Sequence, residues 1–564
     1  MQPSPSIRGT FVALLALAVV AMGAPAAAHA QVSPLEPPSQ VPESLDKPPP
    51  GFRVTAREAV RTADRLPAVH EARRENPGLR PHVDIPLYLG DARRYSISYV
   101  DSDWETQADI HVSGLTGEVV EQWTGPQARM LLGRGYKPSV GRALDSPYIW
   151  LPLALLFVAP FVDPRRPFRL LHLDLIVLLG FGVSQYFFNK GDVHTSVPLV
   201  YPLLAYLLIR TALAGFRPRE RRTPLMPFAR TSWLVVGLVL LMVFRVGLNV
   251  VDSTVIDVGY ASVVGADRIQ HKEELYVAND IHGDTYGPVT YLAYVPFELL
   301  FPTDGTWDEV PAAHAAALIF DLLTVIGLML VGTRLRQGAE GRTLGVALAF
   351  AWAAYPFTLL GLQTNTNDGL VALLVVFALL ALSSPAKRGL MLGLATAAKF
   401  APVVLAPLLA TATGEERRLR SWASFVAAFG GIVALSVILY LPDGGLREVY
   451  DATIGYQLGR DSALSIWQLH PSLGWLQDVV KLAALAFAAA LAFVPRRRDL
   501  RQVAGLGAAA IVASQLGVSH WFYLYIPWFT PLVLVAAFGA YGARERARPA
   551  ESSPTLQVEA TTGR

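Results

Sequence analysis

The sequence predicts an α-helical polytopic membrane protein with a small N-terminal α+β domain outside the membrane. Three observations carry the prediction. Of 564 residues, 52% are hydrophobic and only 16% charged, where a soluble chain carries about 25% charge. Apolar runs close to the roughly 20 residues that cross a bilayer recur from residue 147 onward. Basic residues segregate to alternate loops, the pattern of cytoplasmic loops in membrane proteins. The net charge of +3 and the absence of cysteine exclude a nucleic-acid binder, a disulfide scaffold, thiolate metal sites and a cysteine nucleophile.

Residues 1–30 read as a secretory signal peptide. Arg8 supplies the basic start, residues 10–22 the apolar core, and Ala28-His29-Ala30 a small-x-small cleavage site. Residues 31–51 form a Pro-rich linker without a packable face. Residues 52–125 have the pattern of a small α+β domain. A helix is expected over 54–76, with Thr55 as N-cap and Glu58 three residues on. Strands are expected over 92–100 and 106–114, which alternate with period two, and over 115–123 after a Gly turn. The "EAV" helix and the hairpin Thr116-Gly117-Glu118-Val119-Val120 resemble a PepSY domain. That resemblance implies a binding or regulatory module.

Eleven clear apolar spans follow: 147–162, 170–188, 196–214, 232–250, 312–333, 343–360, 369–383, 422–441, 475–494, 503–518 and 522–542. Two stretches are ambiguous, 286–301 and 389–413, and charge resolves them. If 286–301 lies at the outer interface and 389–413 is a re-entrant helix broken at Lys399-Phe400-Ala401-Pro402, one set of loops holds 24 Lys and Arg and the other 5. The basic set comprises 163–169, 215–230, 334–342, 384–388, 414–421, 495–501 and the disordered tail 543–564. The basic set is then cytoplasmic. Pro402 gives the break a cause, since proline removes a donor and clashes with the preceding turn. Two long outer loops, 251–310 and 442–474, are candidates for function.

Ionisable side chains inside spans are costly and mark candidate sites. They are Asp174, Arg245, Asp321 and Lys399, with Lys481 near a span end. Asp174 and Asp321 read as helix–helix contacts. Lys399 sits beside the expected break, where backbone groups face a cavity, and a cation there suits a phosphate. The outer loop after Asn249 carries Asp252 and Asp257, then Asp280 and Asp284. A carboxylate at this rim can accept a proton from a hydroxyl. Asp280 and Asp284 would be the ligands of a divalent metal if one is used, although the reading requires no cofactor.

Taken in order, these features resemble a GT-C glycosyltransferase of family 87. Asp257-Val258-Gly259-Tyr260, Gly265-Ala266 and Leu275-Tyr276 resemble the family's first outer loop. Tyr286-Gly287-Pro288, Tyr291 and Pro296-Phe297 resemble its interfacial helix, with Gly287 where a second proline is often found. Gln363 to Asp368 occupy the place of a Gln/Asn-rich outer turn. Gly393-Leu394-Ala395 with Lys399 and Pro402 resembles "Gly-Leu-Ala … Lys-x-x-Pro", and Gln457, Arg460, Ser462 and His520 to Tyr523 fit the later outer stretches. The resemblance covers residues 232–542. The three spans of 147–214 and the N-terminal domain lie outside the minimal pattern.

The resemblance implies inverting transfer of a hexose or pentose, mannose-like, from a polyprenyl-phosphate donor to an extracytoplasmic glycan or glycolipid acceptor. Asp257 would be the general base, with Asp252 the alternative. Lys399, Arg245, Arg460 and His520 would hold the donor phosphate. Tyr260, Tyr286, Asn367, Asp368, Gln457 and Tyr523 would line the substrate. The protein would sit in the plasma membrane with its N-terminal domain and site outside and its C-terminus in the cytoplasm. Two other readings stand beside this one. A transporter or flippase of a lipid-linked or anionic solute also uses a broken helix, although no second copy of the Lys-x-x-Pro break is present. A membrane sensor would use the N-terminal domain as its ligand binder, although no cytoplasmic output domain is visible.

Overall fold

A computed structural model describes residues 39–86, 93–102, 104–129, 142–276, 285–303, 310–412, 419–459, 462–495 and 498–542. The signal segment 1–30 and the tail 543–564 lie outside the described residues, as do Asp280, Asp284 and Arg460.

The N-terminal unit is a five-stranded antiparallel meander, β1 (Ser39–Gln40), β2 (Arg80–Pro86), β3 (Arg94–Val100), β4 (Thr106–Ser113) and β5 (Val119–Thr124), in that order. Two helices, α1 (Ala56–Asp64) and α2 (Pro67–Glu75), cover one face. Ile97, Ala108, Ile110 and Val112 pack beneath Ala56, Ala59, Ala63 and Val69. Thr55 caps α1 in a reciprocal box with Glu58. The single helix expected over 54–76 is instead two, because Pro67 can start a helix but cannot continue one. Strand β2 escaped the sequence pattern because two prolines interrupt its alternation. The linker is partly stitched in: Ser39 and Gln40 pair with Pro86 and Ile85, and Arg57 bonds Asp46.

The membrane region begins with α3 (Pro147–Val158), α4 (Leu170–Phe188) and α5 (Val193–Phe216). Asp174 on α4 accepts from the Arg210 guanidinium at 2.9 and 3.0 Å and from Tyr206 at 2.8 Å, so it locks α4 to α5. Then come α6 (Thr231–Val251), α7 (Asp257–His271), α8 (Pro288–Glu298), α9 (Pro311–Leu335), α10 (Gly338–Ala354), α11 (Pro356–Gln363), α12 (Asp368–Leu380) and α13 (Pro385–Ala398). A short α14 (Ala406–Ala410), α15 (Leu419–Leu439), α16 (Gly474–Ala490), α17 (Leu500–Leu516) and α18 (Ile526–Phe538) complete the bundle.

The chain is a multi-pass membrane protein. Among the described residues six helices are long and apolar enough to cross a bilayer, and a seventh crossing arises if α10 and α11, bent by 57°, form one span. Length alone therefore does not reach the eleven spans of the sequence reading. Helices α10, α12, α17 and α18 are among the main contributors to the buried core. Helices α15 and α16 stand at the edge with Leu435, Ile438, Leu439, Leu482 and Leu485 exposed. In a bilayer such surfaces face lipid and carry no desolvation cost.

Candidate active site

The expected helix break is present. Helix α13 starts on a Ser384 cap and Pro385 and ends at Ala398. Lys399 is extended, at φ −137° and ψ 134°, and the chain resumes as a 3-10 turn over Ala401–Leu405 that contains Pro402. The break leaves carbonyls without helical partners, and these need donors in a dry environment. The start of α8 provides them: the carbonyl of Ala398 accepts from Gly287 N at 3.0 Å and Thr290 Oγ1 at 2.9 Å. A Cβ on Gly287 would lie 2.0 Å from the carbonyl oxygen of Ala397. Glycine is therefore required at this position.

This contact brings α8 over Lys399. The lysine Nζ lies 2.6 Å from Asp368 Oδ1, and the same oxygen accepts from Trp528 Nε1 at 2.9 Å. The ammonium is 5.2 Å from the Tyr286 ring centroid and 5.4 Å from that of Trp528. Both distances fall in the range of cation–π attraction. Asp368 is 1% exposed, so the pair is buried and its hydrogen bond is charge-assisted. A lysine has three donors. One is engaged by Asp368, and the other two can meet an anionic ligand.

Asp368 begins α12 at the end of the turn 363–368, and that turn also fixes the start of α7. Thr254 N donates to Gln363 O at 2.9 Å and Ile256 N to Thr364 O at 3.2 Å. Asp257 is the first residue of α7, immediately after these bonds. A Cβ on Gly259 would lie 2.3 Å from Asn365 O, so the turn rests directly on the α7 backbone. Asn367 Nδ2 donates to Ser262 Oγ on α7 at 3.0 Å. Asn367 Oδ1 is buried without a hydrogen-bond partner among the described residues, an acceptor suited to a ligand hydroxyl.

A third arm reaches the same centre from the turn before α18. His520 Nδ1 is 2.8 Å from Ser462 Oγ, and Trp521 N donates to Leu464 O. The His520 ring packs 6.2 Å from Tyr525, which stacks on Trp528 at 4.5 Å. An aromatic path therefore runs from His520 to the tryptophan that bonds Asp368.

The structure thus gathers Lys399, Asp368, Asn367 and Tyr286, and links Asp257 and His520 to them through the 363–368 turn and the Tyr525–Trp528 stack. Tyr260 lies on the same helix as Asp257, buried at 5% exposure. Gln457 is half-exposed on a short helix, Tyr456–Gly459. Asp252 caps the end of α6 with its side chain exposed.

Two of the expected residues lie elsewhere. Arg245 is fully buried, and its Nε and Nη2 bind the two oxygens of Asp321 at 3.0 and 2.7 Å. Its other donors go to Ala353 O and to the hydroxyl and carbonyl of Thr358. With every donor used inside the protein it has none for a phosphate, and Trp528 and Lys399 are in other company. Asp321, which also accepts from Trp352, is the structural contact that the sequence reading favoured. Tyr523 turns toward α4 and α5, its hydroxyl 2.7 Å from Ser184 and 2.9 Å from Ser196. It therefore ties the Tyr523–Tyr525 turn before α18 to α4 and α5. Trp528 was missed. Its signal was an indole N–H in an otherwise apolar span, which needs a polar partner when buried. Among the described residues no group of three His, Asp or Glu is arranged to hold a metal.

Residues 285–519 match the family model described as Glycosyltransferase family 87. The matched stretch contains Tyr286, Asp368, Lys399 and Gln457, begins after Asp257 and ends one residue before His520. No curated protein and no solved structure matches the chain.

Proposed function

We propose, starting from a membrane glycosyltransferase that carries the family 87 pattern over residues 285–519, that the donor is a polyprenyl-phosphate sugar and that transfer inverts the anomeric centre. The sugar is a mannose-like hexose or a pentose, and the acceptor is a glycan or glycolipid outside the membrane.

The observation that carries this reading is the Lys399 ammonium, placed at a helix break between two aromatic rings with Asp368 as its carboxylate partner. The donor phosphate binds at Lys399, with His520 as the second cationic group when protonated. Asp257 takes the proton from the acceptor hydroxyl. The acceptor oxygen attacks the anomeric carbon on the face opposite the phosphate, the C–O bond to phosphate breaks, and the polyprenyl phosphate leaves with the electron pair. Its added negative charge develops next to the lysine, where a fixed cation stabilises the transition state more than the ground state. Asn367 and Tyr286 contact the sugar. The N-terminal domain serves as an extracytoplasmic binding module.

The test is transfer of labelled sugar from a polyprenyl-phosphate donor in membranes containing the protein. Incorporation that depends on Lys399 supports the reading. Incorporation from a nucleotide sugar alone, or movement of the intact lipid-linked sugar across vesicles without transfer, would sink it.

A further inference from the structure

The turn between α11 and α12 holds one non-glycine residue in a left-handed conformation, Asn365 at φ +49°. Such a conformation is uncommon outside glycine and persists where surrounding contacts over-determine it. Here every polar atom of the side chain is used. Nδ2 donates to Ser253 Oγ at 3.0 Å and to Thr254 O at 2.9 Å. Oδ1 accepts from Asn249 Nδ2 at 2.7 Å. The residue is fully buried.

Its partners are themselves anchored. Asn249 Nδ2 also donates to Leu362 O at 2.6 Å. His314 Nδ1 on α9 lies 3.2 Å from Ser253 Oγ and 3.3 Å from Asn249 Oδ1. Gln363 Nε2 donates to Asp252 O at 2.8 Å. One polar knot therefore joins the end of α6, the 252–256 connection, the start of α9 and the 363–368 turn. None of its side chains hydrogen-bonds the Lys399–Asp368 pair, yet the turn ends in Asp368 on one side and holds the 252–256 connection leading to Asp257 on the other.

We infer that Asn365 is a positioning residue that fixes Asp257, at the start of α7, relative to the Asp368–Lys399 pair at the start of α12. This deepens the glycosyl-transfer reading and rests on it for the roles of those two groups. The physical argument is that a base and a phosphate cradle on different helices must hold a common geometry, and an error near 1 Å can cost about a hundredfold in rate. Without the Asn365 side chain, the connection into α7 loses its two side-chain bonds to Ser253 and Thr254 and keeps the backbone bonds of Thr254 and Ile256, the Gln363–Asp252 bond and the Asn367–Ser262 bond, so the start of α7 is held less tightly against the turn.

The natural absence of cysteine permits a direct test. Spin labels attached through His271→Cys, at the far end of α7, and Ser383→Cys, just past α12, report the distance between the two helices by electron–electron double resonance in the full-length protein. Asn365→Gly is the informative variant, since glycine adopts φ +49° without strain and only the side-chain bonds are lost. We expect a broadened or shifted distance distribution, and in the unlabelled variant a kcat lowered about tenfold to a hundredfold with the donor KM unchanged. Ser253→Ala, which removes the partner oxygen, should broaden the same distribution, and the double variant should add little because the two act through one bond network. A narrow, unshifted distribution in Asn365→Gly, or a wild-type kcat in that variant, overturns the inference. A wild-type protein that transfers no sugar overturns the glycosyl-transfer reading instead, while the distance distributions still decide the role of Asn365.

Discussion

Lys399 Nζ and Asp368 Oδ1, 31 residues apart in sequence, meet at 2.6 Å beneath the Tyr286 ring and beside Trp528. The pair joins two ordinarily unfavourable things, a buried charge and a helix that stops inside the protein. Each makes the other tolerable. The break lets Lys399 leave the helical spacing and reach Asp368, and Asp368 supplies the counter-charge that burial demands.

Lys399→Ala should raise the donor KM and also lower stability, because it leaves the buried Asp368 carboxylate unpaired, at a cost of about 3–5 kcal/mol. The two effects separate in the double variant Lys399→Ala with Asp368→Asn. That variant should recover most of the thermal stability in detergent and none of the donor affinity. Unchanged donor affinity in both would remove Lys399 from the phosphate site.

Asp257→Asn keeps the shape of the first residue of α7 and removes the base. Transfer should fall by at least a hundredfold, the scale of general-base catalysis, with an unaltered melting profile. If full activity is retained, Asp257 is not the base, and Asp252→Asn becomes the decisive variant.

Arg245→Ala should act on folding. It strands the buried carboxylate of Asp321, for a loss of about 3–5 kcal/mol, measurable as a lower melting temperature and lower yield. The surviving protein should have the wild-type donor KM. Replacing both partners by apolar residues of similar size, Arg245→Met with Asp321→Leu, should restore stability. A donor KM raised in that double variant would return Arg245 to the donor site.

Tyr523→Phe removes a hydroxyl shared by Ser184 and Ser196, which remain bonded to each other. The expected cost is about 1 kcal/mol, the net value of one hydrogen bond, with transfer retained. A strong selective loss of transfer would show that the tyrosine contacts substrate after all.

Much of the candidate site was legible before folding. Pro402 announced the break and a lysine beside it announced the cation, because proline chemistry and the cost of burying charge are local properties. The capping box at Thr55 and Glu58 was legible for the same reason, since its two bonds span three residues. Arg245 was misjudged because its sequence signal, a cation in an apolar span, is identical whether the partner is a ligand or a protein carboxylate. Only the approach of α9 to α6, which sets Asp321 against the guanidinium, distinguishes the two. Asn365 looked like one more polar residue in a Gln/Asn-rich turn. Its left-handed backbone and its bonds to Asn249, Ser253 and Thr254 are contacts across more than a hundred residues.

The sequence by itself determined that this chain lies in a membrane, that a helix breaks at Lys399, and which rare charges had to be accounted for. Those follow from hydropathy, proline geometry and the desolvation of ions, each readable within a few turns of chain. The tertiary structure decided which charge meets which. Asp368 was matched to Lys399 and Trp528, Asp321 to Arg245, and Tyr523 to Ser184 and Ser196. A buried polar group is defined by its partner, and partners are brought together by the packing of helices distant in sequence.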